Sequence, residues 1–119
     1  YILNSLDRFV GGIQQRNVGI SVIGHYWSKL PELQGVFVRL LTGQGIYIVA
    51  KGDAEKAHEY CNLERIVRVL ESVPKVKTEH DRYFQDLIDE LEARKNSPGE
   101  RVTKEKLDEW IRRLTNRST

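Results

Sequence analysis

The stretch that decides the fold is Val36-Phe37-Val38-Arg39-Leu40-Leu41, then Thr42-Gly43-Gln44-Gly45, then Ile46-Tyr47-Ile48-Val49-Ala50. Two runs rich in β-branched and aromatic residues flank a short connection with two glycines. That pattern predicts a β-hairpin, because glycine enters positive φ without a Cβ clash. On the first strand Phe37, Arg39 and Leu41 would share one face and Val36, Val38 and Leu40 the other. On the second, Ile46, Ile48 and Ala50 would oppose Tyr47 and Val49. Apart from Arg39 and Tyr47 both faces are apolar, so the ribbon needs cover on two sides.

Working outward, Val18 to Ile23 is short, β-branched and alternating, and reads as a further strand. Tyr1 to Val10 places Ile2, Leu3, Leu6, Phe9 and Val10 at helical spacing, with Gly11 and Gly12 able to end that helix. His25 to Gly35, which contains Pro31, reads as an irregular crossing.

Downstream of the ribbon the pattern turns helical. Asp53 is a suitable N-cap for a helix that runs to about Ser72, ended by Pro74 and carrying Tyr60, Leu63, Ile66, Val67, Leu70 and Val73 inward. Thr78 would cap a second helix reaching about Lys95, with Tyr83, Phe84, Leu87, Ile88 and Leu91 inward. After the loop Asn96-Ser97-Pro98-Gly99, Thr103 caps a third whose stripe is Leu107, Trp110, Ile111 and Leu114, and Val102 can staple onto Leu107. Residues 115–119 are expected to fray.

The architecture expected is α+β: an N-terminal helix, a small antiparallel sheet of about three strands including the 36–50 hairpin, and three C-terminal amphipathic helices on one sheet face. The alternative takes residues 20–41 as helical, giving a mostly α domain with one short hairpin, similar to a winged helix. A chain of 119 residues suits a single domain spanning 1–119, and the start at Tyr1 without any methionine allows that it is part of a longer one.

Composition narrows the class. With 39% hydrophobic and 30% charged residues the chain is neither a disordered tail nor a membrane protein, so no membrane partner is expected. A single cysteine, Cys61, excludes an internal disulfide framework and suggests the cytoplasm or another reducing intracellular compartment. The net charge of +2 is too small for a general polyanion binder. Its distribution is uneven: residues 1–50 are sparsely charged, whereas 51–119 carry dense charge of both signs.

No catalytic or nucleotide-binding constellation emerges, and no cofactor is expected. His58 and Cys61 could share a helix face near Glu55 or Glu64, but they match no usual zinc spacing, and no orienting residue completes a cysteine–histidine nucleophile. The glycines of Thr42–Gly45 are not followed by the Lys-Ser/Thr of a phosphate loop. Lys51-Gly52-Asp53 leads into a helix, yet the carboxylates of Asp53 and Glu55 oppose an anion there. The acidic residues from Asp81 to Glu92 are interleaved with basic ones and read as a solvated helix face.

Two functions fit. The first is a non-catalytic interaction or regulatory domain that self-associates or docks on a protein through the apolar hairpin. Its contact residues would be Tyr26, Trp27, Phe37, Arg39 and Tyr47, although the two aromatics at 26 and 27 would equally serve to close one end of the core. The second is a nucleic-acid-binding domain that uses Arg101, Lys104, Lys106, Arg112, Arg113 and Arg117 as phosphate contacts on the last helices.

Overall fold

The computed structural model describes residues 13–117. The helix expected over Tyr1–Val10 and its glycine end fall outside the described residues. Within them the chain forms five α-helices: α1 Ile13–Tyr26, α2 Gln34–Ala50, α3 Ala57–Leu70, α4 Asp81–Arg94 and α5 Lys104–Thr115. Single 3-10 turns at Pro31–Leu33 and Thr78–His80 lead into α2 and α4. There is no strand among the described residues.

Both sheet expectations are therefore corrected. Val18–Ile23 lies inside α1, and the supposed hairpin is one continuous helix of 17 residues. The α+β architecture falls, and so does the winged-helix-like alternative, which also kept the hairpin. The physical reason is visible in α2 itself. None of its glycines has positive φ, so none makes a turn. Gly45 is needed for close packing: a Cβ there would meet Leu87 Cδ1 at 3.0 Å and Ile66 Cγ2 at 3.7 Å. Thr42 satisfies its hydroxyl within the helix by donating to Val38 O at 2.9 Å. A segment apolar on both strand faces is also apolar around most of a helix, which is the signature of a helix buried by its neighbours. The propensity penalty of β-branched residues, a few tenths of a kcal/mol each, is small beside that burial.

α2 is the hub. It packs most extensively on α4, then on α3, while α1 lies mainly along α3 and α5 closes against α4 and α3. The molecule measures 38 × 33 × 18 Å. Its thin dimension corresponds to two helix layers, given axes about 8–10 Å apart. One core runs through it, with Phe37, Leu41 and Ile48 of α2 meeting Leu63, Ile66 and Leu70 of α3, Phe84, Leu87 and Leu91 of α4, and Leu107, Trp110 and Leu114 of α5, all buried.

The three downstream helices form where their apolar spacing predicts, but Thr78 does not cap the second: it lies in the 3-10 turn Thr78–His80, and α4 begins at Asp81 with no side-chain cap. Thr103 caps α5, its hydroxyl accepting from the Lys106 N–H at 3.1 Å, and Val102 and Leu107 are both fully buried. Asp53 starts no helix directly. Its carboxylate accepts from the Glu55 N–H at 3.2 Å in a local turn, and α3 begins at Ala57. Glu55 ties the α2–α3 connection to the α4–α5 connection, accepting from the backbone N–H groups of Arg101 (2.8 Å) and Val102 (2.9 Å).

One buried polar cluster fixes α1. Arg16 donates Nε to Glu59 Oε1 at 3.1 Å and Nη2 to Oε2, and Asn62 Nδ2 donates to the same carboxylate at 3.2 Å. Glu59 is 1% exposed. A buried pair of this kind is costly to break one side at a time, because the surviving charge is left without compensation.

These contacts separate a helix from a hairpin experimentally. Gly43→Ala, where a Cβ would meet nothing within 4 Å, is expected to raise stability by about 0.5–1 kcal/mol. Gly45→Val is expected to lower it by about 1–3 kcal/mol by forcing α4 away. Urea denaturation of the two variants checks both signs, and a loss for Gly43→Ala would contradict a helical α2. In the same assay Glu59→Leu should cost about 3–5 kcal/mol, more than surface substitutions on α3 such as Arg68→Ala.

Candidate interaction surface

Seen along its axis, α2 buries Phe37, Val38, Leu41, Thr42, Gln44, Gly45, Ile48 and Val49. The remaining arc carries Val36, Arg39, Gly43, Tyr47 and Ala50 exposed, with Leu40 and Ile46 half-buried. This arc holds one charge, on Arg39. Among the described residues, three of the four large hydrophobics most open to solvent belong to α1 and α2: Val18 at 52%, Val36 at 44% and Tyr47 at 43%. The fourth, Val76, stands apart in the α3–α4 connection.

Neighbouring helices frame the arc. Near its C-terminal end the Arg16 guanidinium lies 5.2 Å from the centre of the Tyr47 ring. Near its N-terminal end Arg39 lies 6.0 Å from the Tyr83 ring of α4. Between α2 and the start of α4 opens a groove of about 550 Å³, lined among others by Val36, Arg39, Leu40, His80 and Tyr83. On α1, Asn17 and Ser21 are held by Arg65 of α3, Ser21 at 2.6 Å. Val18, one position further round the helix, is exposed, whereas Val22 is half-buried against the core.

The residues expected to bind a partner are divided by this geometry. Arg39 and Tyr47 share the exposed arc of α2. Phe37 is on its opposite side, fully buried, with its ring 6.2 Å from that of Trp27. Trp27 and Tyr26 pack half-buried against the core at the end of α1, and Tyr26 makes an edge contact with His25 at 4.8 Å. Val18, Val36 and Gly43 were not singled out by the sequence reading. Val36 and Gly43 fall on one face only once α2 is treated as helical, and Val18 lies in α1, a segment that reads as a strand.

The cations of the C-terminal part are spread over several environments. Arg101, Lys104 and Arg112 are exposed. Lys106 is engaged by Glu64 and by Glu109 at 2.8 Å, and its ammonium lies 5.4 Å from the Trp110 ring centre. Arg113 donates Nε to Glu71 at 2.8 Å and Nη1 to Glu64 at 3.1 Å. Arg117 is 7% exposed, with Nε on Val73 O at 3.0 Å and its guanidinium 3.5 Å from the centre of the Phe84 ring. Three of the six proposed phosphate contacts thus direct their charge inward. The connection between α4 and α5 spans residues 95–103, and α5 turns its apolar stripe into the core.

Electrostatics follow from this pairing. Burial opposes the charged form of Glu64, but hydrogen bonds from Lys106 and Arg113 outweigh it and hold the carboxyl below its ordinary value. Hydrogen bonds from Arg113 lower Glu71, and those from Lys106 lower Glu109. Burial works against Lys106 as well, yet its bonds to Glu109 and Glu64 push it up to about 12.

His58 and Cys61 are both exposed on α3, and no group of three or more His, Cys, Asp or Glu able to hold a metal occurs among the described residues. Pro31–Ala50 is long and apolar enough, at 20 residues and mean hydropathy 1.3, to cross a membrane; in this fold 44% of that window is buried among the other helices. Comparison with known protein families, with curated proteins and with solved structures finds no match.

The ion-pair cluster makes a signed pH prediction. Carboxyls whose folded pKa lies below the unfolded value contribute stability that is complete above the unfolded value and lost as pH falls through the folded one. Glu64, Glu71 and Glu109 all start from 4.5, so the urea midpoint should hold between about pH 7 and about pH 5.5 and fall below about pH 4.5. Glu64→Gln should cost about 1–3 kcal/mol near neutrality and flatten that acid limb.

Proposed function

We propose that this protein is a non-catalytic interaction module that docks on another protein through the exposed face of α2. The observation that carries this reading is the exposure of Val36 and Tyr47 on one arc of α2 that holds a single charge. Interface centres are depleted of charged residues and enriched in tyrosine and arginine, which is the composition of this arc with Arg39 at its edge. The partner-facing unit is a helix face and no longer a two-sided ribbon. A helix face with apolar positions three and four apart suits a second helix laid along it.

The module's other faces support the same reading. α3, α4 and α5 turn their apolar stripes into the core and interleave charges outside, as solvated faces do. Opposite charges paired on and between those helices leave α2 as the one described helix whose outward side is chiefly apolar.

The test is fluorescence of an apolar naphthalene sulfonate dye added to dilute protein. Wild type should enhance the dye's emission. Val36→Glu/Tyr47→Glu should remove most of that enhancement while helical circular dichroism stays unchanged and the melting temperature moves by only a few degrees, since both side chains are surface groups. Absence of enhancement in wild type, or equal enhancement in the variant, rejects the α2 face as the docking surface.

A further inference from the structure

We infer that the occupant of the α2 face is the same face of a second copy, packed antiparallel about a two-fold axis at Gly43. This rests on the preceding reading of that face as an interaction surface, and adds to it the identity and direction of the partner.

The spacing permits helix-on-helix packing. Val36, Leu40, Gly43, Tyr47 and Ala50 recur at alternating intervals of four and three, the period that keeps one seam facing a partner helix. With Arg39 and Ile46, which flank it on the same arc, the outward face is symmetric about Gly43. Val36 and Ala50 lie seven positions either side of Gly43, and Arg39 and Tyr47 lie four either side. At Gly43 a Cβ would meet nothing within 4 Å, so the centre of the seam is open to an incoming helix.

Charge decides the direction. Exposed Glu32 precedes α2, Arg39 is the charge within it, and exposed Lys51 follows it. A parallel pairing would set each of these against its own copy, Glu32 on Glu32, Arg39 on Arg39 and Lys51 on Lys51. The antiparallel pairing sets Arg39 against the ring of the partner subunit's Tyr47, a cation on a π face, and brings Glu32 to the end that carries the partner subunit's Lys51. The two Arg39 residues then lie eight positions apart along the axis, about 12 Å at 1.5 Å per residue, beyond the screening length at moderate salt. Each favourable contact occurs twice, as a two-fold interface requires.

The experiment uses the whole chain with Cys61→Ser, since Cys61 is exposed and would cross-link on its own. Sedimentation equilibrium from micromolar to sub-millimolar protein should show a reversible monomer–dimer equilibrium with no larger species, because a self-complementary face closes on itself. Arg39→Glu should weaken that dimer about tenfold, as two cation–ring contacts are lost together. Under mild oxidation Gly43→Cys should form a disulfide dimer. Val36→Cys and Ala50→Cys should each stay monomeric alone and cross-link when mixed. A protein that remains monomeric throughout, or Val36→Cys that cross-links to itself as readily as Gly43→Cys, overturns the inference. So does a monomer that co-sediments with phosphatidylserine/phosphatidylcholine vesicles through this face. Because the dye assay is done on dilute protein, a positive dye result with a persistent monomer removes only the second-copy assignment, whereas a negative one removes the docking face itself.

Discussion

The approach of Leu87 and Ile66 to the bare Cα of Gly45 sets where α2, α3 and α4 can sit. A Cβ at that position would press on the tip of the Leu87 side chain, and a larger side chain on the layer containing Phe84, Leu91 and Leu63. The rest of the bundle is arranged around that contact. α5 fills the space left beside α4 and α3, and α1 is drawn onto α3 by the buried Arg16–Glu59–Asn62 cluster. What remains outward on α2 is the arc that no other described helix covers, so the candidate surface is a by-product of the same packing that makes the core.

Buried ionic contacts and surface ones play different parts here. Arg16 and Glu59 lie out of water and fix the position of one helix, at the cost of desolvating both. Lys106, Arg113, Glu64, Glu71 and Glu109 lie at the seam between α3 and α5, part-buried, where several partners share each charge. That sharing neutralises much of the cationic character that the last helices display as a linear list of residues. Reading cations from sequence counts charges, whereas the fold decides which of them still face solvent.

The downstream helices were legible because their polar and apolar residues alternate with a clear 3.6 period and their ends carry recognisable chemistry, such as Thr103 before α5 and Pro74 after α3. α2 was not, for a reason rooted in its own composition. A run with almost no polar residue has no phase to read, so β-branched content and two glycines favoured a hairpin, while burial by α3 and α4 favoured a helix and won. The same error blurred the surface. Arg39 and Tyr47 were named but paired with Phe37, since strand alternation puts residues 37, 39 and 47 in one ribbon, whereas a turn of 100° per residue sends Phe37 inward. Trp27 and Tyr26 illustrate the other ambiguity, as aromatics beside a loop serve equally to seal a core or to meet a partner. Val18, inside a segment taken for a strand, had no helix face to belong to.

The Glu55 carboxylate bonds to backbone donors 46 and 47 positions later, fastening the connection after α4 to the one before α3. Two segments that would otherwise breathe separately are thereby latched, with Gly99 the residue whose missing side chain leaves room for the latch. In amide-exchange terms they form a single opening unit: a proteolytic nick or an inserted tag in one would loosen the other.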